Sequence, residues 1–154
     1  MTKRTNFKHI SMYDMPEQSP GFLLWHVSTL WRSSIEEALK PLELTHPQFV
    51  ILAALGWLTK DGDLATQSMI GTMAGLDPNT TSQIIRGLEA KGLVKRAQSL
   101  TDTRVKNSTL MPKGTKLLAI ALPAVEAADT AFFKSVAGQD LESLLKTFQK
   151  LAKR

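Results

Sequence analysis

The stretch Asp77-Pro78-Asn79-Thr80-Thr81-Ser82-Gln83-Ile84-Ile85-Arg86-Gly87-Leu88-Glu89-Ala90-Lys91-Gly92-Leu93-Val94-Lys95-Arg96 decides the architecture. Asp77 can accept from the free amides of a helix start, and Pro78 fills the first helical position, where a missing N–H costs nothing. Thr81, Ile84, Ile85 and Leu88 recur at helical spacing and form an inward face. Asn79, Thr80, Ser82, Gln83, Arg86 and Gly87 point the other way, with no bulky aromatic among them. Gly92 suits the left-handed residue that closes a helix, and beyond it the hydrophobic period changes.

Upstream of this stretch, Thr66 can cap a short helix that runs to Ala74 and closes at Gly75, with Met69, Ile70 and Met73 facing inward. Downstream, Leu93–Ala97 and Arg104–Leu110 read as two strands around a polar loop, Gln98–Thr103. Two close helices, the second capped by Asp-Pro and followed by a basic hairpin, predict a winged helix-turn-helix. In that fold the second helix presents its polar face to base edges in the major groove.

The flanks are helical. Leu24, Val27, Trp31, Ile35 and Ala38 mark a helix from about 21 to 40, which Pro41 stops. Thr45-His46-Pro47 starts the next one, apolar through Phe49, Val50, Leu52, Ala53 and Trp57, and it ends before Lys60-Asp61-Gly62-Asp63. After Pro112-Lys113-Gly114 a long apolar-rich helix runs towards Phe133, with a bend expected at Pro123. A last amphipathic helix covers about 140–152. Residues 1–18 read as an irregular arm. The fold class is therefore mainly α with a small β-hairpin wing.

Composition narrows the chemistry. The 154 residues include no cysteine, which removes disulfides, thiolate metal sites and cysteine nucleophiles. The formal net charge is +5. Lys95, Arg96, Arg104, Lys106, Lys113 and Lys116, against Asp102 alone, carry a surplus equal to that of the whole chain. The positive charge is thus concentrated on and just after the hairpin, where a polyanion would lie. Such a rim can also be a solvated edge, since lysine on edge strands suppresses aggregation.

Phe49–Leu58 is too short an apolar run to span a bilayer, which needs about 20 residues. The first 14 residues lack a signal-peptide pattern, so a cytoplasmic protein without membrane partners is expected. His9, His26 and His46 have no metal-ligand spacing, and no phosphate-binding loop or Ser/His/Asp grouping is present. Neither a metal, a cofactor nor an enzymatic activity is expected.

Leu88-Glu89-Ala90-Lys91-Gly92-Leu93-Val94-Lys95-Arg96, then Asp102-Thr103-Arg104, then Leu110-Met111-Pro112-Lys113-Gly114 resemble the MarR family of bacterial transcription regulators. That family shows an LExKGLVxR helix exit, an Asp-x-Arg pair in the wing and an LTxxG entry to a long dimerisation helix. Met111 stands where the last motif usually has threonine. The resemblance extends from about residue 21 to 154. It implies an obligate homodimer with intertwined N- and C-terminal helices, in line with the apolar surface those helices carry. It divides the chain into an N-terminal arm and dimerisation helix (1–44), a winged helix-turn-helix lobe (45–112) and C-terminal dimerisation helices (113–154).

The expected function is a dimeric, sequence-specific regulator, a repressor, on a pseudo-palindromic operator in double-stranded DNA with half-sites roughly 34 Å apart. Asn79, Thr80, Ser82, Gln83 and Arg86 are the candidates for groove and nearby phosphate contacts. Lys95, Arg96 and Lys106 are candidate phosphate neutralisers. The resemblance implies that Arg104 enters the minor groove, and Asp102 is placed to orient it. The family often binds small anionic aromatic effectors that release DNA, with Trp25, His26, Trp31 and His46 near the expected pocket. The alternative is a winged-helix module that binds protein without sequence-specific DNA recognition, which predicts weak salt dependence.

Overall fold

Local chemistry sets the element boundaries. In the computed structural model, which describes residues 10–99, 105–136 and 138–153, a 3-10 turn at Pro16–Gln18 leads into α1 (Pro20–Leu39). Ser19 caps α1 by accepting from the Phe22 amide at 3.3 Å. Lys40–Leu42 forms a 3-10 turn around Pro41, and Glu43 follows in a left-handed conformation. The helix α2 (His46–Thr59) opens with a reciprocal cap: Thr45 Oγ1 accepts from the Gln48 amide, and Gln48 Oε1 accepts from the Thr45 amide. A short strand β1 (Ala65–Thr66) precedes α3 (Gln67–Ala74), which Thr66 caps and Gly75 closes at φ 66°.

Then come α4 (Pro78–Ala90), β2 (Val94–Gln98), β3 (Lys106–Leu110), α5 (Pro112–Phe132) and α6 (Gln139–Ala152). The helix α5 is one element through Pro123. Leu24, Val27, Trp31, Asp129, Leu144 and Phe148 line an apolar cleft of about 370 Å³ beneath α6.

The sheet has the order β1-β3-β2, antiparallel throughout. Val94 pairs with Leu110 and Arg96 with Ser108, while Ala65 pairs with Ser108 from the other side. The hairpin expected from the sequence is present, and β1 makes it three-stranded. Two residues are too few for a periodic signal, so β1 is seen only in its pairing.

The core surrounds α2. Phe49, Ile51, Leu52 and Leu55 pack with Ile35 and Leu39 of α1, Ile70 of α3, Ile85 and Leu88 of α4, and Ala121 and Val125 of α5. On α3 the inward face differs from expectation. Ile70 and Gly71 are buried, whereas Met69 and Met73 are 43% and 46% exposed. The reason lies at Gly71: a Cβ there would sit 2.8 Å from Thr81 Oγ1, so α3 meets α4 at its glycine and turns both methionines outward.

A second contact joins the long helices to α2. Trp31 Nε1 donates to Asp129 Oδ1 at 2.7 Å, and the Trp31 ring meets His46 edge-on with centroids 5.0 Å apart. Partial burial, then the positive charge of Arg32, hold the His46 pKa below its ordinary value, while Glu36 and Asp129 pull weakly the other way. The neutral ring is therefore favoured in the folded chain. Its contribution is complete above about pH 6.5 and is lost as pH falls below that through the lowered pKa.

Two outcomes are expected. Gly114 lies in the first turn of α5, where a Cβ would overlap the Leu93 carbonyl, which also accepts from the Met111 amide at 2.9 Å. Gly114→Ala should lower folding stability by about 1–3 kcal/mol, read from the urea midpoint, because backbone cannot yield as a side-chain tip does. An unchanged midpoint would contradict this packing. Between about pH 7.5 and 5.5 the parent's Tm should fall, and His46→Gln should fall less; equal slopes would remove His46 from the acid response.

Candidate nucleic-acid interface

The helix α4 is fixed at its start by one carboxylate. Asp77 Oδ1 accepts from the Thr80 amide at 2.9 Å, and Oδ2 accepts from the Thr80 hydroxyl at 2.5 Å. These bonds, led by the hydroxyl, hold the Asp77 carboxyl below its ordinary pKa. The Thr81 hydroxyl donates to the Asp77 carbonyl at 2.8 Å and is fully buried, so it belongs to the inward face.

Of the outward residues picked from the sequence, Asn79, Gln83 and Arg86 are exposed and share one stripe of α4. Ser82 and Thr80 are half-buried. The Thr80 hydroxyl serves the cap. Ser82 lines a polar recess with Thr66, Gln67, Ser68, Val105 and Lys106, at the junction of α3, α4 and the wing.

On the wing, Lys95 and Lys106 are exposed, and among the described residues neither they nor Arg86 join an ion pair. Arg96 is placed differently. Its guanidinium Nη2 lies 2.6 Å from Glu89 Oε2, with 21% of its side chain exposed. Its charge is spent within the protein, on a carboxylate of α4 that sequence reading did not single out. The available signal was the motif itself: Glu89 sits in the last turn of a helix and Arg96 in the strand after it. Arg104 and Asp102 lie outside the described residues.

The four residues picked for an effector are not gathered in one place. Trp31 and His46 touch, but His26 stacks on Phe22 with centroids 6.2 Å apart, and Trp25 is 73% exposed. Asp129, the partner of Trp31, carries no local signal because it lies 98 residues away. A larger groove of about 730 Å³ opens between α2, α3 and α5, lined by Phe49, Val50, Trp57, Met73, Leu118 and Leu122. Lys60 is also in its lining, with Nζ 4.4 Å from the centroid of the Trp57 ring. Among the described residues no set of three or more potential metal ligands gathers, and no helix is long and apolar enough to cross a membrane.

Comparison with known proteins agrees with this geometry. The MarR family pattern matches residues 44–106. An uncharacterized HTH-type transcriptional regulator of Bacillus subtilis (strain 168), YdcH, is 34% identical over 143 residues, covering 93% of this chain and 96% of the relative. Two solved structures share the fold. CouR of Rhodococcus jostii RHA1, bound to p-coumaroyl-CoA, has a TM-score of 0.80 at 24% identity, covering 92% of this chain and 96% of that one. The S. aureus MepR–DNA complex has a TM-score of 0.79 at 23% identity, covering 86% and 96%. Helix order, wing and near full-length likeness to a regulator place this chain in the MarR family of transcriptional regulators.

Proposed function

We propose that the chain is a dimeric repressor that binds a pseudo-palindromic operator and leaves it when a small aromatic or anionic effector binds. The observation that carries this reading is the exposed stripe Asn79, Gln83 and Arg86 on α4, flanked by the wing cations Lys95 and Lys106, which join no ion pair among the described residues. Amide side chains suit adenine edges, and arginine suits guanine or phosphate. Ser82 and Thr80 border the stripe; the minor-groove contact is assigned to Arg104, and the task of orienting it to Asp102. In this reading 45–112 is the DNA-binding lobe, and 1–44 and 113–154 form the dimerisation region.

Unpartnered apolar surface supports the dimer. Leu24 is 58% exposed and Leu30 52% on α1, and Leu145 and Leu151 are each 51% exposed on α6. A second copy that covers both faces removes this area from water. The effector is then best seated in the groove between α2, α3 and α5, within the range of small-molecule sites, with aromatic walls and Lys60, whose exposed pair with Asp61 at 3.4 Å is weak enough for an acid to replace. Of the four residues picked from the sequence, Trp31 and His46 keep a place at the junction of α1, α2 and α5, and Trp25 and His26 lie on the α1 surface.

Sedimentation at micromolar concentration should show a dimer. Selection of bound genomic fragments should return an inverted repeat with half-sites roughly 34 Å apart. Arg86→Ala should weaken operator binding by about 1–3 kcal/mol while the dimer persists. A lone monomer, or indifference to duplex DNA at low salt, would overturn the reading.

A further inference from the structure

The cations of the wing are not equivalent. Arg96 Nε donates to Glu89 Oε2 at 2.7 Å, and Nη2 lies 2.6 Å from the same oxygen. The other carboxylate oxygen, Oε1, accepts from the backbone amide of Arg96 at 3.2 Å. Residue 96 thus engages both oxygens of Glu89 through its side chain and its main chain together. We propose that Arg96 is a wing-positioning residue and not a phosphate ligand: with Glu89 it braces β2 against the last turn of α4, so that recognition helix and wing meet a duplex as one body. The DNA half of this inference rests on the function proposed above.

The surroundings favour a brace. Glu89 ends the helix that carries Asn79, Gln83 and Arg86, and Arg96 sits at the middle of β2, opposite Ser108 of β3. The turn between them is short and already bonded, by the Gly92 amide to the Glu89 carbonyl at 2.9 Å and the Leu93 amide to the Leu88 carbonyl at 3.0 Å. Those bonds fix the hinge. The ion pair joins helix and strand a second time, from Glu89 in the last turn of α4 to Arg96 two residues into β2, and so limits rotation about the turn. Arginine suits this task better than lysine, since its planar fork holds two donors in a fixed direction.

A cation held on its own carboxylate has no net charge to exchange for counterions. It therefore adds nothing to the salt dependence of DNA binding, whereas each neutralised phosphate contributes a slope of about −0.9 in log K against log salt. Lys95, next to Arg96 and on the opposite side of the strand, is exposed and joins no ion pair among the described residues. The two neighbours provide an internal comparison.

The test has two arms. Without DNA, amide hydrogen exchange of 94–99 and 105–110 should speed up several-fold in Arg96→Gln, Arg96→Lys and Glu89→Ala. Exchange in α2 and α5 and the Tm should stay near the parent's, which a general loss of folding would not permit. The reversed pair Glu89→Arg with Arg96→Glu should restore protection only in part, because an arginine at 89 remakes the ion pair but cannot accept from the residue-96 amide. With a duplex, Arg96→Gln and Arg96→Lys should each lose about tenfold in affinity at an unchanged salt slope, while Lys95→Gln should flatten the slope by about 0.9. Unaltered wing exchange in Arg96→Gln, or a slope flattened by about 0.9 in that variant and regained with lysine, overturns the proposal. Should the parent protein ignore duplex DNA, the proposed function falls, and the exchange arm still decides the brace.

Discussion

The approach of α3 to α4 is possible because position 71 has no side chain. A Cβ on Gly71 would lie 2.8 Å from Thr81 Oγ1 and 3.3 Å from the Leu76 carbonyl oxygen, closer than such atoms normally sit. That contact sets the angle of the recognition helix, and other features follow from it. Thr81 must face inward and be small, and its buried hydroxyl must find a partner, which it does in the Asp77 carbonyl. With Thr81 inward, the 3.6-residue period brings Ile85 and Leu88 into the core and leaves Asn79, Gln83 and Arg86 in water. The exposed polar stripe is thus a consequence of how closely two backbones can pass.

Burial is concentrated in one part of the molecule. The residues with no exposure belong largely to the helix-turn-helix and the helix ends packed on it: Ile51, Leu52 and Leu55 of α2, Ile70, Ile85 and Leu88, with Ile35 and Leu39 from the C-terminal half of α1. The other half of α1 and all of α6 have no buried residue. One chain therefore completes a core for its central lobe and leaves apolar seams at its two ends. The two regions solve different physical problems, a self-sufficient core in one and a surface requiring cover in the other.

Much of this was legible in the sequence where the governing chemistry is local. Thr45, Thr66 and Asp77 cap the helices they were expected to cap, and Gly75 and Gly92 take the positive φ that closes α3 and α4. What escaped depends on a third dimension. In a helix of eight residues a small rotation moves Met69 and Met73 out of the core, and only the Gly71 contact reveals that rotation. The strand β1 exists through its pairing with β3, the Trp31–Asp129 bond joins distant segments, and Arg96 reads as a free cation until Glu89 is seen beside it. The candidate stripe on α4 was legible because it lies on one helix, and the groove lined by Trp57 and Met73 was not, because α2, α3 and α5 all contribute walls.

Two lysines tie the far end of α4 to the rest of the lobe, in addition to the Glu89–Arg96 pair. Lys91 Nζ donates to the Glu43 carbonyl at 2.7 Å and to Gln48 Oε1 at 3.1 Å, and the Lys91 carbonyl accepts from Lys113 Nζ at 3.1 Å. Glu43 is the left-handed residue of the turn between α1 and α2, Gln48 closes the cap of α2, and Lys113 lies in the first turn of α5. The start of α4 is pinned by its glycine contact with α3, and its exit is tied to the two places where the long helices enter the lobe. The helix that carries Asn79, Gln83 and Arg86 is thus bonded at its exit to the ends of α1, α2 and α5, outside the core around Leu52 and Ile85.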